Sequence, residues 1–330
     1  MEYRDFGTTG LKVSAIGFGC WETGGNYGAF HEDEVRKAVH RALDLGINCF
    51  DTAMGYGDGQ SERLLGETLK GRRDEAVVVT KFGIPSNPER KNRDSRREHL
   101  MASAEQSLKN LGMDHIDIML VHWPDRSVPW EKPMRALEDL TRAGKIRFGG
   151  VSNFKAEEIE ACEKTRRVDV AQYGSHLFDR RMERDVFPVC AKHRIGVMAY
   201  GSLAHGILAG AFTEETKFEE NDWRNRGDRP IFGLTLFAPD NFRKELRAVA
   251  RFHQMAARRG KKVVHLALSW VLSNPVISTA LVGARSAAEV EDNVEALGWR
   301  ASDEERREID AICREEGIDP APGTWLEQVA

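Results

Sequence analysis

The sequence predicts an α/β protein: a (β/α)8 TIM barrel spanning residues 1–330 as one domain, with an N-terminal β-hairpin and a C-terminal helix. Three observations lead there. Eight short β-branched runs alternate with amphipathic stretches along the chain. Gly46, Gly71, Gly112 and Gly144 each end a helical pattern shortly before the next run, where a left-handed residue closes a helix. No linker rich in Pro, Ser or Gly divides the chain, and 330 residues suit a single α/β barrel as well as two domains. Repeated helix–Gly–strand units imply parallel strands joined by right-handed crossovers. Eight of them favour closure into a barrel, with an open doubly wound sheet as the competing arrangement.

The elements follow in order. EYRDFGTTGLKVSAIGF reads as a hairpin around Thr9-Gly10, placed to cap the barrel floor. The strands are expected over 14–20, 47–53, 76–83, 116–124, 146–153, 168–176, 196–203 and 278–284. Runs such as VVVT and IDIMLV are apolar almost without break, as strands buried on both faces are. Val35, Ala38, Val39 and Ala42 recur at helical spacing, marking a helix that covers the sheet. Residues 209–240 are polar, Arg-rich and aperiodic, and follow the seventh strand on the side where βα-loops gather. A long loop there is expected to act as a lid. The basic run Arg90-Lys91-Asn92-Arg93-Asp94-Ser95-Arg96-Arg97 is interleaved with acids and reads as a solvated loop opening a helix.

Composition excludes several classes of function. Forty-eight Lys and Arg against 52 Asp and Glu give a net charge of −4, unlike the basic surface that a phosphate backbone needs, so no nucleic-acid partner is expected. No stretch approaches the ~18 to 20 apolar residues of a membrane span. MEYRDFGTTG carries no apolar core of a secretory signal. Five cysteines, scattered and without CxxC spacing, suit a reducing cytoplasm and argue against a disulfide framework or a cysteine zinc site.

Chemistry gathers at three consecutive strand ends. Asp51 ends the second strand, and Tyr56 follows in the Gly-rich turn DTAMGYG, where barrel active sites are built. Taken alone, Asp51 could equally cap the next helix and Tyr56 be a loop aromatic. Lys81 closes the third strand after a run of valines and needs a polar partner, since an unpaired buried ammonium is costly. His122 ends the fourth. Only Asp51 and His122 are metal-competent, so no metal is expected, and neither G-x-S-x-G nor an activated Ser or Cys stands beside His122. Proton transfer to a carbonyl oxygen fits better. A tyrosine of reference pKa near 10 needs a neighbouring cation to shuttle a proton near neutrality, and Lys81 held by Asp51 can supply it.

At this point DTAMGYG, VVVTKFG, MLVHWPD, GKIRFGGVSNF and ALVGARSAAEVEDN, in that order, resemble the successive signatures of the aldo-keto reductase family. The resemblance covers the chain from about Phe6 to about Glu316. It implies a barrel that binds nicotinamide cofactor without a Rossmann domain, which suits the absence of G-x-G-x-x-G: after Gly17 and Gly19 the third position is Glu22. It implies a catalytic tetrad of Asp51, Tyr56, Lys81 and His122, with Tyr56 as proton donor, Lys81 lowering its pKa and His122 orienting the carbonyl. Ser152, Asn153 and Gln172 then match holders of the nicotinamide carboxamide, and Tyr200 the aromatic on which the ring stacks. AYGSLAHGIL, with Leu203 and Gly206, corresponds to a loop strapping the pyrophosphate, Ser202 standing where many members have proline. Gly283, Ala284, Arg285, Glu289 and Asn293 fall where relatives grip the adenosine end. Trp21, Tyr27 and Trp123, with the loop around Trp223, are candidates for the substrate wall.

The resemblance therefore implies an NADP(H)-dependent reductase of a small aldehyde, ketone or sugar carbonyl, an alcohol dehydrogenase or carbonyl reductase, with NAD(H) also possible. The alternative is a cofactor-binding regulatory or redox-sensing subunit like the potassium-channel β subunits, which share the fold. No obvious partner-binding segment lies outside the expected barrel, which favours the enzyme.

Overall fold

The structure is a computed structural model and describes residues 1–84, 93–227 and 232–322. Tyr3–Asp5 (β1) and Lys12–Ser14 (β2) form the antiparallel hairpin. The barrel strands are Ile16–Gly19 (β3), Cys49–Asp51 (β4), Val77–Phe82 (β5), Ile116–Val121 (β6), Ile146–Ser152 (β7), Val170–Gly174 (β8), Gly196–Tyr200 (β9) and Ile277–Gly283 (β10). They close in the order β10-β3-β4-β5-β6-β7-β8-β9, every neighbouring pair parallel. The closed barrel, not the open sheet, is what forms. The run expected as one strand over 14–20 divides at Ala15, where the chain leaves the hairpin and enters the barrel.

Continuous apolar composition marks the deepest strands: all six residues of β5 and all six of β6 are buried. Around them pack Glu32–Asp44 (α1), Gln60–Thr68 (α2), Arg97–Leu111 (α3), Glu131–Arg142 (α4), Ala156–Glu163 (α5), Val186–His193 (α6), Pro239–Ala257 (α7), Val263–Leu272 (α8) and Ala287–Val294 (α9). Val35, Ala38, Val39 and Ala42 form the buried face of α1. Gly112 takes the left-handed conformation at φ 62° and its N–H closes α3 onto the carbonyls of Leu108 and Lys109. Asp303–Glu315 (α10) is the C-terminal helix, begun by reciprocal capping between Ser302 and Glu305. Among the described residues no helix is long and apolar enough to cross a membrane, and all five cysteines are free and buried.

The hairpin stoppers the floor. Phe6, wholly buried, packs with Val13, Cys49, Val77, Val170 and Met198 at the start of the barrel interior. It lies so close to β9 that a Cβ on Gly196 would stand 2.6 Å from its ring. At the opposite end every strand finishes at one mouth, bringing Asp51, Lys81, His122, Ser152, Gln172, Tyr200 and Gly283 to a common cavity or its wall. Of the basic run, residues 90–92 lie outside the described residues. Arg93 is not purely solvated: its guanidinium stands 4.6 Å over the Trp123 ring, while Arg97 opens α3 and pairs with Asp139.

Candidate active site

The centre of the mouth is a chain of hydrogen bonds from one wall of the barrel to the other. Lys81 points inward from β5 with a fully buried side chain, and a lone ammonium there would be prohibitively costly. Its Nζ donates to Asp51 Oδ2 at 2.7 Å, to the Thr52 carbonyl at 2.9 Å and to the Tyr56 hydroxyl at 3.1 Å. All three bonds of the ammonium are thus satisfied. The second carboxylate oxygen of Asp51 accepts from Gln172 Nε2, 2.7 Å away on β8. Asp51 does not cap the next helix, because its two oxygens are taken by Lys81 and Gln172 across the barrel. Burial pushes the Asp51 carboxyl up and the Lys81 ammonium down, and each opposes the shift of the other.

Tyr56 is the third partner of Lys81. Burial, then the charges of Asp51 and Glu22, push its phenol up from the ordinary value. The Lys81 ammonium, 3.1 Å from the same oxygen, is the positive charge that works against that rise. Tyr56 is therefore a neutral phenol, a donor with its proton in place. His122 meets the Tyr56 ring edge-on at 5.8 Å. Burial and the charges of Lys81 and Arg93 hold its imidazole well below the usual range, hence neutral, and its buried Nδ1 has no hydrogen-bond partner among the described residues.

The residues matched to the carboxamide and ring occupy the adjoining strand ends and bond to one another. Ser152 Oγ donates to the Gln172 carbonyl at 3.0 Å, and Asn153 Nδ2 to the His122 carbonyl at 3.0 Å. The Tyr200 hydroxyl donates to Asn153 Oδ1 at 3.0 Å. Gly174 lies beneath the Tyr200 ring, where a Cβ would come within 3.3 Å of it. Leu203 and Gly206 line the cavity, and the strap around them has left-handed backbone at Ala204, His205 and Gly206, with φ of 47°, 56° and 105°.

At the far rim, Gly283, Ala284, Arg285, Glu289 and Asn293 line the same cavity. Arg285 folds its guanidinium back onto the carbonyls of Tyr27 and Ala29, while its backbone N–H donates to Glu289 Oε2 at 2.8 Å. Glu289 thus meets Arg285 through the main chain and not through the charged fork.

The wall is aromatic. Trp21, Tyr27 and Trp123 all line the cavity. Trp223 does not; it stacks behind Trp21 at 5.9 Å with planes 14° apart. Segment 209–240 contributes more than polarity suggested: Phe212, Arg224 and Phe232 reach the cavity, and Phe232 stacks on Trp123 at 5.9 Å. The Arg181 guanidinium, itself buried against Asp179, donates to the Phe232 carbonyl at 3.0 Å and fixes that stretch. His205, whose Nδ1 is 3.0 Å from the Tyr27 hydroxyl, was also missed, as were Phe232 and Glu22. Only the placement of His205 inside AYGSLAHGIL and of Glu22 after GFGCW carried a signal.

The family model described as "Aldo/keto reductase family" matches residues 15–314. Among curated proteins, aldo-keto reductase YhdN of Bacillus subtilis is 37% identical over 324 residues, covering 97% of this chain and 96% of that protein. Among solved structures, a glycerol dehydrogenase from Gluconobacter oxydans superposes with a TM-score of 0.85 at 34% identity, over 96% of this chain and 97% of that one. An aldo/keto reductase from Klebsiella pneumoniae, solved in complex with NADP and acetate, gives a TM-score of 0.72 at 29% identity over 92% of each chain.

Proposed function

Because this chain belongs to the aldo/keto reductase family, we propose that it reduces an aldehyde, ketone or sugar carbonyl to the alcohol with NADPH, Tyr56 serving as general acid. The observation that carries the reading is the Lys81 ammonium held between Asp51 at 2.7 Å and the Tyr56 hydroxyl at 3.1 Å. The cavity fits a dinucleotide. It is lined from Tyr56 and His122 to Arg285 and Asn293 and encloses about 560 Å³. Ser152, Asn153 and Gln172 would hold the carboxamide, Tyr200 the ring, Leu203 and Gly206 the diphosphate, and Gly283, Arg285, Glu289 and Asn293 the adenosine end. When bound, the nicotinamide supplies a hydride to the carbonyl carbon.

The protein's own residues manage the proton and the charge. As negative charge builds on the carbonyl oxygen, the neutral Tyr56 phenol gives up its proton to that oxygen. The phenolate left behind accepts the Lys81 hydrogen bond as an anion, so a bond already charged on the donor side becomes charged on both sides and strengthens as the proton leaves. Asp51 and Gln172 keep the ammonium aimed. A neutral His122 steadies the carbonyl oxygen without competing for the proton, and Trp21, Tyr27, Trp123 and Phe232 exclude water.

A panel of carbonyls assayed with NADPH and NADH tests the proposal. Steady multiple turnover is expected, and Tyr56→Phe should bind cofactor yet lose about two or more decades of kcat. Wild-type turnover in Tyr56→Phe would sink the acid assignment. Cofactor binding without repeated turnover would instead indicate a redox-sensing subunit.

A further inference from the structure

Between the ends of β3 and β10 the cavity holds a carboxylate that carbonyl reduction does not use. Glu22 sits in the short turn 21–24 that follows β3 and lines the cavity. Its side chain crosses to β10 and lies directly over Gly283, where a Cβ would stand only 2.0 Å from Glu22 Oε1. Gly19 and Gly283 are register partners, and both line the cavity that also reaches Tyr56 and Arg285.

The charge there is poorly compensated. Among the described residues no Lys or Arg forms an ion pair with Glu22. Its own backbone N–H, then Arg285 beyond β10 and Arg224 of the 209–227 stretch, favour the charged form without an ion pair. Arg224 is committed to Asp222 at 2.6 Å, and Arg285 to the carbonyls of Tyr27 and Ala29. Glu289 on α9 repels it, and Tyr27, Tyr56 and Cys20 all feel its charge. Burial already pushes the Glu22 carboxyl above the ordinary carboxylate range. A dinucleotide with its nicotinamide end by Tyr56 and its adenosine end by Asn293 would carry its diphosphate between them, in the stretch of cavity that Glu22 lines together with Leu203 and Gly206. Two like charges in a desolvated space repel strongly, and the group that can neutralise is the carboxylate.

We propose that Glu22 takes up a proton from solution when a dinucleotide fills the groove, so that cofactor binding is coupled to pH through this one side chain. The inference rests on the cofactor reading above. By linkage, affinity then falls as pH rises wherever free Glu22 is ionised and bound Glu22 is not, approaching about one decade in Kd per pH unit.

The experiment titrates the full-length protein with NADP+ and with NAD+ between about pH 6 and 9, following tryptophan fluorescence, and counts protons by calorimetry in buffers of different ionisation heat. NAD+ is included because it lacks the 2′-phosphate, whose own protonation would mimic the slope. The wild type is expected to take up close to one proton per dinucleotide and to weaken with pH for both. Glu22→Gln should take up none, lose the slope for both, and bind more than about tenfold tighter than wild type at the alkaline end. Equal slopes and proton counts in the two proteins, or none in the wild type, overturn the proposal. So does weaker binding by Glu22→Gln at every pH, which would make the charged form an acceptor for a ribose hydroxyl. The wild-type proton count needs no variant to fold. If neither dinucleotide binds either protein at any pH, the cofactor reading itself falls, a result distinct from binding without proton uptake.

Discussion

Lys81→Met separates what the buried ammonium does for the fold from what it does for the reaction. The substitution removes three hydrogen bonds and leaves Asp51, only a few per cent exposed, with Gln172 as its remaining side-chain partner. Breaking a buried pair by deleting one member costs about 3–5 kcal/mol, less whatever Asp51 recovers by taking up a proton. An unfolding entropy near 2.1 cal/mol/K per residue over 330 residues is about 0.7 kcal/mol/K, so Tm should fall by roughly 4–7 °C. Independently, losing a charge-assisted bond to the Tyr56 oxygen costs about 1.5–3 kcal/mol in the transition state, or roughly 10- to 150-fold in kcat. Lys81→Met/Asp51→Asn has no uncompensated charge, so its Tm should recover most of the loss while kcat stays low. Thermal melts and steady-state kinetics on the two single variants and the double variant complete the cycle. Recovery of kcat together with Tm would refute the reasoning and make Lys81 a structural partner of Asp51.

Four further outcomes are expected. The buried Glu245 on α7 has one carboxylate oxygen without a partner among the described residues, and burial holds its pKa well above its ordinary 4.5. The folded state therefore binds its proton more tightly, and stability falls as pH rises from about 4.5 through the folded value. Melting curves of Glu245→Gln should lack that decline, and a matching decline would clear Glu245. Gly66→Ala adds about 1 kcal/mol of helix propensity, but its Cβ would lie 2.1 Å from the Leu111 carbonyl oxygen; a denaturant midpoint at or above wild type would show that α2 and α3 part without cost. Arg285→Ala should weaken NADPH by roughly tenfold or more and NADH little, because the fork that now rests on neutral carbonyls is freed to meet a phosphate; equal loss of both would assign it elsewhere. Amides of 209–227 and 232–240 should gain hydrogen-exchange protection when NADP+ binds, and unchanged exchange would make the segment a surface insertion.

The barrel was legible because strands buried on both faces write nearly unbroken apolar runs, as in VVV at 77–79 and IMLV at 118–121. Strand lengths were overread where residues leave the sheet for the mouth: Trp123, His176 and Leu203 lie beyond the last paired residues of β6, β8 and β9. Asp51, Tyr56, Lys81 and His122 were legible as polar residues at apolar strand ends. Phe232 was not, because its place depends on a bond from the distant Arg181 and on stacking with Trp123, and neither leaves a periodic trace. Nor was the fate of Glu22, since only the missing Cβ of Gly283 lets its carboxylate cross the groove.

The stoppered floor has a kinetic corollary. With Phe6 and its neighbours sealing the lower end, a cofactor and a carbonyl must share one entrance. The rings of Trp123 and Phe232 stack on each other in the wall of the cavity that Tyr56 and His122 also line. Under the proposed function a dinucleotide would lie along the strand ends and the carbonyl would enter after it against those rings. The alcohol would then leave while the oxidised dinucleotide is still in place, and an alcohol product would compete with the next carbonyl for the dinucleotide-bound protein, not for the empty one.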